Sequence, residues 1–544
     1  MTERAKRHLE RFRDKCSARG VWDQTWDDLA RVMLTSRIGF ASTVVPGESR
    51  TADLYDGTAM QAARGLARAT DYMLWPDGEK AFYIKSSDDK NDDEAKDWLA
   101  DTEQKMHDAM ADPKARFRQS RGERSLDRVV FGTGIIYESE GRKLNRLLFQ
   151  CISLKDAYPY WDEEGNAAGM YRRRLLTVEQ AVEKFTLGKV SNDVREKWRQ
   201  GKYDEKVEYL HCVTPRKEGR PDAVMSANFP YTDLWIDVLA QEEALDGGFR
   251  DFPFIVSRWD TSSGEDYGSS EAMIALPDAN TAQAMGETIL VAGQRAADPP
   301  LATPFDGFFT EYNTFPGGLV HYDVDTAMKL GRIPIQPIES GTNLPISRDM
   351  QNDTREQIWA AFLRNILNLP VPGPDMTATE IMQRKEEMIR EVGPVFGRLE
   401  TDDKAPIVER SFRLMFRANA FLPVPESLQG KGIRFEYESP IKKIRQQIEA
   451  QAASLWVHEH IQIAAETGNP DVLDNVNFDE YSRISHEAAA LPHAIRNGDE
   501  KKAALRQQRM EQQQAAAEMQ AAQQIAEGAG KAAPALKVLQ GGAA

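Results

Sequence analysis

Residues 367–384 read LNLPVPGPDMTATEIMQR, and the reading of this stretch decides how the whole chain is organised. Pro370, Pro372 and Pro374 lack backbone donors and push the residues before them into extended geometry. No helix therefore runs through Pro370, Val371, Pro372, Gly373, Pro374, Asp375 and Met376. Thr377 and Glu380 follow at capping-box spacing, in which each side chain satisfies an orphan N–H at a helix start. Arg384 lies four residues after Glu380, the spacing of a helical ion pair. A stiff loop between two helices is the expectation.

Upstream of the loop, a helix is expected over Ser347 to Asn368. Met350, Ile358, Phe362, Ile366 and Leu369 recur on one face; Asp353, Gln357, Ala360, Arg364 and Asn368 form the opposite, polar one. A second rod is expected from Asp278 to Ala297, closed by Asp298-Pro299-Pro300. At 1.5 Å per residue each is about 30 Å long. Ala282, Gly286, Ile289, Gly293 and Ala296 give that rod an unusually small stripe, which lets a neighbouring helix approach closely. Between the rods, 299–345 is rich in Pro, Gly, Phe and Tyr, with strands expected at 319–323 and 333–338.

Before the rods, helical spacing covers most of 2–75 and 94–129. Apolar, β-branched runs at 81–85, 129–139, 146–153, 170–177, 206–214, 222–228, 233–239 and 253–258 read as strands. Thr177 and Gln180 make a second capping-box pair. After the loop come a helix from 377 to about 400 broken near Gly393-Pro394, helices at 405–420 and 440–467, a strand at 433–437, and an interrupted helical stretch at 471–497. RQQRMEQQQAAAEMQAAQQ (506–524) is helical in composition yet has too few large apolar residues to bury a core alone. The expected class is α+β, predominantly helical.

The chain has 544 residues, 41% hydrophobic and 28% charged, with a formal net charge of -16. That balance argues against a surface built to grip nucleic acid, which carries a basic excess. Cys16, Cys151 and Cys212 form no disulfide or zinc spacing. MTERAKRHLERFRDKC has no apolar run behind it, and no run reaches 18 apolar residues, so neither a secretory leader nor a membrane span is expected.

Catalytic motifs are missing in the same way. HEHIQ (458–462) fails as a zinc-protease motif because position 462 is Gln, and no GxxxxGK[ST] loop or GxSxG elbow occurs. DDKNDDE (88–94) lacks the glycine of a calcium loop. GTG (132–134) sits in a strand pattern and marks a bulge or a close backbone approach. Strand alternation sends the arginines of YRRRL (171–175) to both faces. No catalytic residue, metal or cofactor is expected.

Four segments, in order along the chain, carry a resemblance: WDDLARVMLTSR (26–37), SGEDYGSSEAMIALPDANTAQAM (263–285), MTATEIMQRKEE (376–387) and VGPVFGRLETDDKAPIVERSF (392–412). Together they resemble the head-to-tail connector, or portal, proteins of short-tailed bacteriophages. Ser269 departs from the pattern, which has Arg after the glycine. The resemblance implies a portal architecture of wing, stem, clip and crown, sometimes with a C-terminal helical barrel. On this chain it implies a wing over 1–270, stem helices at 271–298 and 346–369, a clip at 299–345 and a channel loop at 370–376. It further implies wing helices at 377–438, a crown at 439–497 and a barrel helix with tail at 498–544.

It also implies a homo-oligomeric ring, usually a dodecamer, at one capsid vertex of the virion, assembled in the host cytoplasm. Double-stranded DNA passes through it in both directions. The large terminase subunit docks during packaging and tail adaptor proteins replace it; the major capsid and scaffolding proteins are further partners. On that plan Asp353, Gln357, Arg364 and Asn368 face the channel, and Ala282, Gly286, Ile289, Gly293 and Ala296 pack between subunits. Twelve copies would carry about -190 formal charges, a field that lets DNA slide rather than holding it. Two other classes fit the residues less well: a helical virion adaptor or scaffold without a channel, and a nuclease using Asp88, Asp89, Asp92 and Asp93.

Overall fold

The computed structural model describes residues 2–42, 45, 47–76, 80–86, 93–141, 147–304, 315–316, 318–322, 329, 336–337, 344–364, 378–438, 440–488, 501–516 and 519. It divides into two units, Met1–Ile441 and Lys442–Ala544. The first contains α1 (Glu3–Met33), α2 (Thr58–Leu74), β1 (Phe82–Ser86), α3 (Asp93–Ala111), α4 (Phe117–Phe131), β2 (Thr133–Glu140), β3 (Leu147–Ile152), β4 (Ala157–Trp161), β5 (Ala167–Thr177), α5 (Val178–Phe185) and α6 (Asn192–Arg199). It continues with β6 (Lys206–Val213), β7 (Tyr231–Asp237), β8 (Glu242–Phe249), β9 (Phe254–Arg258), α7 (Glu271–Ala297), β10 (Leu301–Pro304), β11 (Leu319–Tyr322), β12 (Gln336–Pro337), α8 (Leu344–Ala361), α9 (Ala378–Leu399), α10 (Ala405–Arg417) and β13 (Ile433–Tyr437). The fold is α+β and predominantly helical, as expected.

Strands β4 to β8 form a five-stranded antiparallel meander in chain order. Its one face receives α5, whose Val178, Ala181 and Phe185 pack with Tyr209 and Trp235. The other receives the start of α1, where Ala5, Leu9 and Phe12 meet Tyr158, Tyr171 and Leu234. Arg4 of α1 pins this contact through a two-pronged bond to Asp246, at 2.7 and 3.0 Å. The capping box at Thr177 and Gln180 closes both ways, at 3.2 Å each, where β5 turns into α5.

Strand β2 lies between β3 and β9 in a second antiparallel sheet, under α4. A third pairing joins distant sequence: β1 runs antiparallel to β13, with Phe82 opposite Tyr437 and Ser86 opposite Ile433. One apolar core binds these parts, from Trp26 and Leu66 through Phe131 and Ile135 to Ile407 and Leu414. The body is thus assembled from sequence on both sides of the two rods. In the insert between the rods, β10 pairs parallel with β11 and antiparallel with β12.

Several expectations are corrected. The first rod starts at Glu271, capped by Ser270, and runs through Pro277, which removes one intrahelical hydrogen bond without ending the helix. Helix α8 ends at Ala361, because Leu363 adopts a left-handed φ of 56° that no right-handed helix accommodates; 365–368 of the expected rod lie outside the described residues. Met350, placed by periodicity on the apolar face, is exposed, whereas Ile358 and Phe362 are buried. Gly393-Pro394 does not break its helix; α9 runs through to Leu399, and a π turn at Glu400–Lys404 joins it to α10. The strand expected at 222–228 is a turn and a 3-10 segment, since Pro215 bridges directly to Tyr231 and leaves this loop outside the sheet. Strands β4, β8 and β10 carried no separate expectation.

The second unit is helical where described: α11 (Pro440–Thr467) opens at its boundary, followed by α12 (Phe478–Ala488) and a helix over 501–516. Every described residue of that last helix but Lys502 is exposed, consistent with its lack of large apolar side chains. Arg506 reaches both carboxylate oxygens of Asp479 at 2.7 Å. Among the described residues no helix is long and apolar enough to cross a membrane.

Candidate functional site

The paired rods α7 and α8 and their seat in the body form the candidate site. Ser270 caps α7 by accepting from Met273 N–H at 3.3 Å while its own hydroxyl donates to the Val130 carbonyl at 2.9 Å. Ala272, Ala275, Ala279 and Ala282 are buried along one face, so the first half of the rod sits close against the body. Further along, Leu290 and Val291 are exposed, as is Ile274 near the start.

The seat is polar and centres on Asp56, which is buried in the loop before α2. Asp56 Oδ2 accepts from Arg355 Nε at 2.8 Å and from Gln351 Nε2 at 3.4 Å, both on α8. Its Oδ1 accepts from Thr58 N–H at 2.8 Å, in the first turn of α2. From α7, Gln283 Oε1 accepts from the N–H groups of Tyr55 and Asp56 at 2.8 and 2.9 Å, and Gln283 Nε2 donates to the Asp56 carbonyl. One loop residue thereby holds both rods. Burial works against the Asp56 charge, but the bonds from Thr58 and Arg355 outweigh it and hold the carboxyl below its ordinary range.

Below the seat, two glycines press backbone to backbone. A Cβ on Gly132, which has φ +75°, would run into the Gly268 carbonyl, and one on Gly268 into the Gly132 carbonyl. The expected close approach at GTG is therefore the join between the second sheet and the segment leading into α7. Gly268 N–H donates to Thr133 Oγ1 at 3.0 Å, and Trp259 N–H to the Gly132 carbonyl at 2.8 Å. Tyr267 meets Trp26 edge-on, with ring centroids 4.9 Å apart. Asp27 Oδ1 accepts from Gly39 and Phe40 N–H groups at 2.8 and 3.0 Å.

The charged core lies where α4 meets the π turn. Arg124 and Arg128, both fully buried, share Asp403, with Arg128 Nη1 2.8 Å from Oδ2. Burial and the neighbouring Arg124 charge lower the Arg128 pKa to about 10, against the pull of Asp403. Nearby, Glu138 on β2 accepts from Ser411 Oγ at 2.6 Å, while Arg410 donates to its backbone carbonyl at 3.2 and 3.3 Å.

The residues singled out in the sequence fall unequally. Asp353, Gln357 and Arg364 are exposed, and the Arg364 guanidinium lies 3.9 Å over the Trp359 ring. In the small stripe, Ala282 is buried within the chain, and a Cβ on Gly286 would approach Tyr55 Cβ at 3.1 Å and Gln351 Nε2 at 3.5 Å. This half of the stripe admits the chain's own loop and α8. Ile289 and Gly293 are half-buried and Ala296 exposed. Pro370, Val371, Pro372, Gly373, Pro374, Asp375, Met376, Thr377 and Asn368 lie outside the described residues, as do the side chains of Glu380 and Arg384 on α9. Asp56, Gln283, Gln351 and Arg355 were missed; the one local signal was Asp-Gly-Thr at 56–58, an acceptor placed before a helix start.

Three of the four segments that carry the resemblance thus converge: Trp26 touches Tyr267, Asp403 binds α4, and Gly268 meets Gly132 at the start of β2. The chain is 27% identical over 544 aligned positions to the "Probable portal protein" of Bordetella phage BPP-1, covering 97% of this chain and 94% of that one. It is 25% identical over 534 positions to the "Portal protein" of Salmonella phage epsilon15, covering 96% and 94%. The family model described as bacteriophage head to tail connecting protein matches residues 5–496, and the chain belongs to that family.

Proposed function

We propose that this chain is a phage portal: a ring-forming structural subunit at one capsid vertex through which double-stranded DNA is packaged and later ejected. The observation that carries this reading is the pair α7 and α8, joined by a small β insert and seated on Asp56 in a body built from both flanks of the sequence. In this reading 1–270 and 377–438 are the wing, 271–298 and 346–369 the stem, 299–345 the clip and 370–376 the channel loop. Residues 439–497 are the crown, and 498–544 form a barrel helix and tail. The exposed polar residues Asp353, Gln357 and Arg364 line the channel. Subunit packing falls to the outer part of the small stripe, Ile289, Gly293 and Ala296.

The partners that follow are other copies of the chain, the capsid and scaffolding proteins, the large terminase subunit, and the tail adaptors that replace it. The subunit carries out no reaction itself. The test is electron microscopy of the purified protein, alone and with terminase. Rings with an axial channel are expected, and deleting 299–345 should leave rings but abolish terminase docking. A protein that stays monomeric across salt conditions and concentrations would remove this reading.

A further inference from the structure

Residues 393–406, GPVFGRLETDDKAP, sit inside one unbroken helical run made of α9, the π turn and α10. Gly and Pro are the poorest helix formers, yet Gly393, Pro394, Gly397 and Pro406 all fall here. Packing does not call for the glycines: a Cβ on Gly393 or Gly397 would meet nothing within 4 Å, and neither has a positive φ. Pro394 removes the donor that would reach the carbonyl four residues back. Thr401 Oγ1 donates to the Gly397 carbonyl at 3.2 Å, a side-chain bond that competes with the helical ladder and bends it. The π turn follows at once, with its wider and weaker hydrogen-bond ring.

The two sides of this segment are held differently. On the C-terminal side the anchors are directional and buried: Arg124 and Arg128 on Asp403, Lys404 on the Glu438 carbonyl, and Ser411 and Arg410 on Glu138. Further bonds from Arg410 and Arg417 reach the Asp251 backbone and carboxylate at 3.0 and 2.6 Å. On the N-terminal side, Met388, Val392, Phe396 and Leu399 form a buried apolar stripe. Apolar contact is non-directional and tolerates small rotations. A polar tie there is Arg398, which reaches the exposed Asp260 at 2.5 Å and the Trp259 carbonyl at 3.2 Å.

We propose that 393–402 is a hinge: Asp403, Lys404 and α10 are the fixed element, clamped by Arg124 and Arg128, and the part of α9 before Gly393 is an arm that bends relative to it. The chain then has two or more arrangements of α9 on a constant body, and anything that binds one arrangement better shifts the balance. The proposal does not depend on the portal reading, because each of its supports lies within one subunit.

The test uses the full chain in its native assembly. Spin labels are placed through Glu387→Cys and Phe416→Cys in a Cys16→Ser, Cys151→Ser background, diluted with unlabelled subunits so that only distances within a subunit are read. A pulsed-EPR distribution at least twice as wide as that of a Glu409→Cys, Phe416→Cys pair on α10 is expected. Adding Gly393→Ala and Gly397→Ala should narrow it to the control width. In the unlabelled parent, amides of 393–402 should exchange at least tenfold faster than those of 407–416. A narrow parent distribution, a wide one unmoved by the alanines, or uniform exchange through 378–417 would each overturn the hinge.

Discussion

Arg355 donates from Nε to Asp56 Oδ2 at 2.8 Å, across 299 positions of sequence. This bond ties the second rod to the loop that also holds the first. Because Asp56 is held below its ordinary range, its stabilising effect is complete above the unfolded carboxylate pKa of about 3.9 and is lost as pH falls through the lower folded value. Asp56→Ala should lower stability by about 2–3 kcal/mol, since Arg355, Gln351 and the first turn of α2 all lose their acceptor. A double-mutant cycle with Arg355→Ala in chemical denaturation measures the pair. Strict additivity of the two substitutions would show that the bond contributes nothing in solution.

The glycine pair predicts a sharper outcome. Gly132→Ala combines a left-handed φ with a collision against the Gly268 backbone, and a carbonyl cannot rotate away as a flexible side chain would. The loss should exceed about 4 kcal/mol and leave little soluble protein. Gly122→Ala is the matched control, because its Cβ points into open space on α4, and it should be neutral or stabilising by about 0.5–1 kcal/mol. Soluble yield and melting temperature of the two variants decide it.

What was legible in the sequence was local. The capping box at Thr177 and Gln180 needs three residues of context, and it forms as expected. The rods are legible because long periodic segments override small errors, although their ends were not: Ser270 extends α7 by a turn and more, and the turn at Leu363 ends α8. The non-local part was hidden. Nothing in FYIKS names IRFEY as its partner strand, and nothing near Asp56 points to Arg355. The π turn was invisible because an extra residue in a helix leaves no periodic trace when the residues beside it are charged. In the small stripe, Ala282 is buried within the chain and Gly286 lies close to Tyr55 and Gln351: small residues show where something comes close without saying what.

Asp403 is the sole carboxylate bonded to two fully buried guanidiniums among the described residues. Asp403→Asn keeps the shape and removes the charge, leaving Arg124 and Arg128 facing each other in the core. Breaking a buried pair in this way costs about 3–5 kcal/mol, so the variant should unfold at much lower denaturant than the parent. Asp260→Asn is the comparison, since its bond to Arg398 is exposed and should be worth less than about 1 kcal/mol. Equal shifts in the two denaturation midpoints would mean that the buried cluster has no special weight.

Glu138 supplies the pH dependence. Burial raises its pKa to about 7, against the opposing pull of the Arg410 charge and the Ser411 hydroxyl. A carboxyl whose folded pKa is raised stabilises the fold fully below its unfolded value, near 4.3, and loses that contribution as pH climbs through the folded one. Between about pH 4.5 and 7 this one group should therefore withdraw on the order of 3 kcal/mol. Glu138→Gln holds the side chain neutral at every pH while keeping an oxygen for Ser411. The substitution should leave the chain no more stable than the parent near pH 4.5 and clearly more stable at pH 8. Melting temperatures of both proteins across that range provide the measurement. Two profiles running parallel from pH 4.5 to 8 would show that Glu138 is already ionised in the fold, with Arg410 near enough to outweigh its burial.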